Sequence, residues 1–261
     1  MWSRASTARS VPLLINIPHA GTELPDALSR RLTPAARQLP DTDWQVDRLL
    51  ALAQDDGPIN LLQARWSRYV VDLNRPPDDR PLYAGEGTGL VPVQTFGGAA
   101  LYADTPPGAG EIRLRVERYW RPYHGRLAQE LDALRQRHGH AVLLDLHSIR
   151  SRVPRLFDGA LPDLNLGTFD GGSCAPSLQG LIAEWLESAT GFSSVINGRF
   201  KGGYNTRHYG DPGSGLHAIQ LEIAQSSYLD ETRPAYWDER RAQPLASRLR
   251  ELIAALRQWR P

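Results

Sequence analysis

Short apolar runs alternate with longer stretches of helical period along almost the whole chain, and this alternation restricts the fold more than any other feature. The strand-like runs are 11–17 (VPLLINI, closed by Pro18), 59–74 (INLLQARWSRYVVDLN, two runs with a turn near Ala64 to Ser67), 140–146, 163–169, 193–197 and 217–224. Helical spacing lies between them, at 46–54, at 176–189 and in the C-terminal RRAQPLASRLRELIAALRQW. From Glu111 to Arg137, Ile112, Val116, Trp120, Tyr123, Leu127, Leu131 and Leu134 recur at intervals of three and four, which predicts one long amphipathic helix kinked at Pro122. Strands that alternate with helices predict an α/β fold: a mixed, mostly parallel sheet covered by helices on both faces. The stretch at about 75–110 is rich in Pro and Gly, has no period and is flanked by regular structure, so it reads as a long loop rather than a linker. With 261 residues, 41% of them hydrophobic, the expectation is one domain over 1–261.

Charge and cysteine content exclude several classes. A net charge of +1, from 30 basic and 29 acidic residues, creates no field suited to nucleic acid or a membrane surface. The expected partner is a small molecule. Nearly all the basic residues are arginines, and Lys201 in RFKGGYN is the sole lysine. A single cysteine, Cys174, leaves no intramolecular disulfide framework and no cysteine-cluster metal site, which suits a reducing cytoplasm. The apolar run near the N-terminus is too short for a signal peptide or a membrane span, so a frayed terminus and a cytoplasmic location are expected.

In open α/β sheets the active site lies beyond the carboxyl ends of the strands, so polar residues that follow strands are the candidates. His19 follows the first run in NIPHAGTELP, and Asn74 and Arg75 end RYVVDLNRPPDD. His147 ends VLLDLHS, with Asp145 two positions earlier and therefore on the same strand face. Glu222 interrupts AIQLEIAQ; a carboxylate inside an apolar run is costly to bury unless paired or functional. Two histidines and a carboxylate, with one position left open, form a catalytic zinc arrangement. Glu23, Asp41, Asp43 and Asp47 are the carboxylates downstream of His19, and spacing does not choose among them. Asp43 and Asp47, four apart, would share a helix face if the helix already runs through Trp44. A lone histidine is more often structural than functional, and His124, His138, His140 and His217, on helix faces or at strand starts, read as structural.

As an ordered set, NIPHAG, DTDWQVDRL, DLNRPPDD, LLDLHS, GGYNTRHYG and IQLEIAQSSYLDE resemble the motifs of the N-formylglutamate amidohydrolase (deformylase) family, from about residue 13 to 231. The resemblance implies hydrolysis of N-formyl-L-glutamate to formate and L-glutamate, a step of histidine degradation, and the fold shared by zinc carboxypeptidases and aspartoacylases. It implies that His19 and His147 bind a divalent metal, most consistent with zinc. In carboxypeptidases the acidic ligand stands three residues after the first histidine, where this chain has Thr22, with Glu23 one residue late; Asp47 is therefore preferred and Asp43 second. Glu222 resembles the general-base glutamate, and Asn74–Arg75 the pair that grips a substrate carboxylate. Arg207 and His208 fall in a loop that the family uses near its substrate. Asp145 would orient a ligand histidine. A dicarboxylate product calls for two arginine forks, for which Arg75 and Arg207 are the candidates. The competing expectations are an amidohydrolase or carboxypeptidase-like enzyme for another N-acyl amino acid or peptide, and a non-catalytic protein that binds small anions.

Overall fold

The computed structural model describes residues 2–5, 11–55, 57–82 and 88–261, the first stretch by its backbone alone. Its strands are β1 (Trp2–Ala5), β2 (Leu13–Ile17), β3 (Asn60–Gln63), β4 (Ala141–Ile149), β5 (Leu164–Gly167), β6 (Ser194–Ile196) and β7 (Leu216–Ala224). They form one sheet in the order β1-β3-β2-β4-β7-β5-β6. The sheet is parallel except where β1 meets β3 and β5 meets β7. The helices are α1 (Asp26–Arg31), α2 (Pro34–Arg37), α3 (Val46–Ala53), α4 (Ala109–Arg115), α5 (Arg121–His138), α6 (Pro176–Ser188), α7 (Tyr204–Tyr209) and α8 (Glu239–Gln258). This is the expected α/β architecture. Among the described residues, no helix is long and apolar enough to cross a membrane.

Period two along the central strands creates both faces. On one face, Leu13, Ile15 and Ile17 of β2, Val142, Leu144 and Leu146 of β4, and Ile219, Leu221 and Ile223 of β7 join the buried side chains of α3, α6 and α8. The alternate residues Leu14, Leu143 and Ala218 face α5 and pack with Leu127, Leu131 and Leu134. Full burial of each such aliphatic side chain contributes about 1.5–3 kcal/mol. On the α5 face the pattern changes towards the carboxyl ends. The next positions there are Asn16, Asp145, His147, Gln220 and Glu222, all buried.

Three local expectations are corrected. The helix from Glu111 to Arg137 is not continuous: a π-helical turn at Val116–Trp120 separates α4 from α5. Pro122 lies just past that turn and has no N–H to donate, and the bonding pattern shifts register beside it. Only the first of the two runs in 59–74 is a strand. The second is irregular, with Val70 N–H bonded to Ser67 O and Asp72 N–H to Leu90 O. The start of the chain is not frayed throughout, because Trp2–Ala5 pairs with β3. In the loop expected at about 75–110, residues 83–87 lie outside the described residues.

Candidate metal centre and active-site cleft

β4 and β7 run in register over their full length, so His147 stands opposite Glu222 at their carboxyl ends. β2 ends alongside, and the chain turns through Pro18 to His19. Gly21 makes this turn possible: a Cβ there would sit 2.6 Å from the backbone of Arg65 and Trp66. The His19 and His147 rings lie 5.0 Å apart between centroids.

The carboxylate that joins them is Asp43, not Asp47. Asp43 Oδ2 lies 3.0 Å from His147 Nδ1 and 3.9 Å from His19 Nδ1. Its backbone N–H donates to His19 O, and its carboxylate also accepts from Ser148 N–H. Gln45 adopts a left-handed conformation (φ 60°) and the helix starts only at Val46. Asp43 and Asp47 therefore do not share a helix face. Asp47 stands in the first turn of α3 and accepts from Gln63 of β3. Glu23 is also excluded from the cluster, since its carboxylate pairs with Arg65 at the half-exposed surface.

The donor set suits a small divalent cation. One ligand atom from each of His19, Asp43 and His147 lies within 4.8 Å of the others, and all three residues are buried. Around zinc, with ligands at about 2.0–2.2 Å, tetrahedral donors sit roughly 3.3–3.5 Å apart. The 3.0 and 3.9 Å separations bracket that range. Both histidines turn Nδ1 towards the cluster and give Nε2 to a carboxylate: Asp72 for His19 and Asp145 for His147, each at 2.9 Å. Such outer carboxylates fix the tautomer of metal-bound histidines.

Electrostatics divide the two rings. Burial, followed by the nearby Arg68, lowers the His19 pKa, which keeps the imidazole neutral. For His147 burial acts the same way, but Asp145 and Asp43 outweigh it and raise the pKa well above the ordinary value. Asp43 is held below the usual carboxylate range against its burial by His147, His19 and Arg68. Burial pushes Glu222 up to about 8; its Oε2 accepts from Gln220 Nε2 at 3.0 Å.

These groups open into a cavity of about 320 Å³, lined among others by Arg68, Asn74, Arg75, Arg199, Gln220 and Glu222. Asn74 reaches the centre, with Nδ2 3.1 Å from His147 Nε2 and Oδ1 accepting from Asn205 N–H. Gly203 is required here, because a Cβ would come within 2.3 Å of the Asn74 side chain. From the far side, Trp120 Nε1 donates to Arg75 O, and His124 Nε2 lies 3.1 Å from Leu73 O. His124 Nδ1 lies 2.9 Å from Tyr209 Oη, and burial lowers the His124 pKa to about 3.

Arg207 and His208 do not line the cavity. In α7, Arg207 donates to Gly202 O and Leu82 O and covers the Phe169 ring, and His208 stacks on Tyr204. Through these contacts the two side chains brace the loop around α7. Lys201 pairs with Asp170 at the surface. Two arginines emerge that sequence reasoning missed. Arg68 is 11% exposed, lies 3.1 Å from Asp72 Oδ2, and places NH2 2.9 Å from His19 Nδ1. Its signal was an arginine four residues before Asp72 at the start of an apolar run. Arg199 follows β6 in a loop whose sequence carries no comparable mark.

The chain is similar to known proteins over nearly its whole length. The family model described as N-formylglutamate amidohydrolase matches residues 11–229. An N-formylglutamate deformylase of Pseudomonas putida is 53% identical over 254 residues, covering 95% of this chain and 93% of that one. One from Pseudomonas aeruginosa is 48% identical over 250 residues, covering 95% and 94%. A crystal structure of N-formylglutamate amidohydrolase from Ralstonia eutropha JMP134 superposes with a TM-score of 0.80 at 27% identity, covering 97% of this chain and 98% of that one. With a cleft of this composition and matches spanning nearly its whole length, the chain belongs to the N-formylglutamate amidohydrolase family.

Proposed function

We propose that this protein hydrolyses N-formyl-L-glutamate to formate and L-glutamate by a metal-dependent route in the cytoplasm, as a step of histidine degradation. The observation that carries the reading is the buried group of His19, Asp43 and His147, with Glu222 opposite His147 in the same cleft. A divalent metal held by those three residues, most consistent with zinc, would supply Lewis acidity and lower the pKa of water. Glu222 takes the proton of the attacking water and hands it to the leaving amine. Its elevated pKa in the protein alone falls when a dication is close, since positive charge favours the carboxylate. Arg68 presents a buried cation beside His19, where the formyl oxygen gains negative charge. The Nδ1 lone pair of His19 that faces Arg68 is the one a metal would use. Arg75 grips a substrate carboxylate, and Asn74 positions the group between that arginine and the metal ligands. Asp72 and Asp145 orient the two histidines.

The test is formate release by the purified protein from N-formyl-L-glutamate, beside N-acetyl-L-glutamate and a peptide ending in glutamate. Formate released in preference to acetate or free glutamate supports the reading. Preferential release of acetate or of the peptide's last residue would transfer the same cleft to another amide.

A further inference from the structure

N-formyl-L-glutamate presents two carboxylates besides the scissile amide, so the reading above demands two cations that are not committed to the metal centre. Arg75 is one of them. It lines the cavity, and among the described residues its guanidinium has no hydrogen-bond or salt-bridge partner. The second was expected at Arg207, which does not line the cavity and instead donates to the backbone carbonyls of Gly202 and Leu82. Arg68 is committed to Asp72 and to the histidine cluster. Arg80 is 83% exposed and paired with Asp78.

We propose that Arg199 is the second cation and receives the side-chain carboxylate of the substrate, while Arg75 receives the α-carboxylate. The proposal rests on the function given above and names its specificity residue. Arg199 lines the cavity, and its Nε donates to Leu156 O at 2.6 Å, a tether that fixes the plane of the guanidinium. A fixed planar fork matches a carboxylate better than a point charge does. An apolar track leads to it from the metal ligands. Ile149 follows His147 by two residues on β4, and Ile149, Leu156 and Phe200 belong to one apolar cluster. All three line the cavity, which gives the two side-chain methylenes of glutamate a surface to cover. Arg75 lines the cavity and its charge acts on Asp72, the carboxylate that holds His19, so it is assigned the carboxylate beside the scissile amide.

The experiment compares kcat/KM for N-formyl-L-glutamate and N-formyl-L-glutamine, which differ in one side-chain charge, in the metal-loaded enzyme. Wild type is run first. Absence of formate release from N-formyl-L-glutamate there overturns the underlying activity and the assignment with it. Arg199→Leu should reduce the preference for the charged substrate at least about 30-fold, the size expected from unpairing a buried charge. Most of the loss should fall in KM. Arg199→Lys should recover part of the preference, because a charge without the fork remains. Arg75→Leu should depress both substrates and leave their ratio within about threefold, a span of under 1 kcal/mol. Equal losses on both substrates in Arg199→Leu, an unchanged ratio, or a ratio that collapses in Arg75→Leu instead would each overturn the proposal.

Discussion

The paired strands β4 and β7 have His140 and His217 at their start and His147 at their carboxyl end, yet the two ends do different things. At the start of the strands, His140 and His217 lean edge-on against Trp259, with ring centroids 5.5 and 4.7 Å away. Their polar contacts are to the backbone: His140 Nε2 faces Trp259 O, and His217 Nδ1 accepts from Ala175 N–H. At the carboxyl end, both nitrogens of His147 face carboxylates, and Glu222 stands across the register. Residue type and burial are alike at the two ends. The difference lies in charged partners and in access to a cavity. Carboxylates that hold a histidine on each side, next to a cleft, mark the site, and the histidine itself does not.

The largest expected effect separates the two aspartates near His19. Asp43→Ala should lose the bound metal and lower kcat by about 10³-fold or more, the equivalent of several kcal/mol of lost charge stabilisation. Asp47→Ala, which gives up only a contact to Gln63 on β3, should retain the metal and most of the turnover. Metal analysis and formate release on the same folded samples decide it, and the reverse pattern would restore Asp47 as the ligand.

Glu222→Gln comes next. It keeps the shape and the contact with Gln220 but cannot take a proton, so kcat should fall by about 10²- to 10⁴-fold with metal content and KM little changed. Near-normal turnover would remove Glu222 from the chemistry, and lost metal would make it a ligand.

The smallest effect lies at the opposite end of the strands. Burial lowers the His217 pKa, so the folded protein resists a proton that the unfolded chain accepts. Stability from this group is complete above the unfolded value of about 6.5 and declines as the pH falls below it. His217→Asn keeps an acceptor for Ala175 N–H and has no proton to take up. Its urea midpoint should fall less between pH 7.5 and 5 than that of wild type, while turnover at neutral pH stays the same. A loss of turnover comparable to that of Glu222→Gln would erase the contrast between the two ends.

The legible part of the molecule is the part with a period. Alternating apolar runs foretold the sheet and its covering helices, and the ends of those runs pointed to His19, Asn74, Arg75, His147 and Glu222, all of which line the same cavity. What was hidden depends on irregular backbone. The choice of Asp43 over Asp47 turns on one left-handed residue, Gln45, which ends the assumption of a shared helix face. Asp72 meets His19 across 53 residues of sequence, a pairing that spacing along the chain does not encode. Arg207 was favoured by its motif, but on the short α7 it bonds the Gly202 and Leu82 carbonyls and does not line the cavity, while Arg199 reaches the cavity from a segment without pattern.

If the carboxyl ends of β2, β4 and β7 build a metal-dependent hydrolytic site, turnover must follow the metal in one titration. Protein stripped with a chelator is given zinc in sub-stoichiometric steps, and formate release from N-formyl-L-glutamate is read at each step. Negligible turnover is expected without metal, followed by a linear rise that levels at about one equivalent per chain, the capacity of a single His-Asp-His site. Full turnover by the metal-free protein would contradict the metal dependence.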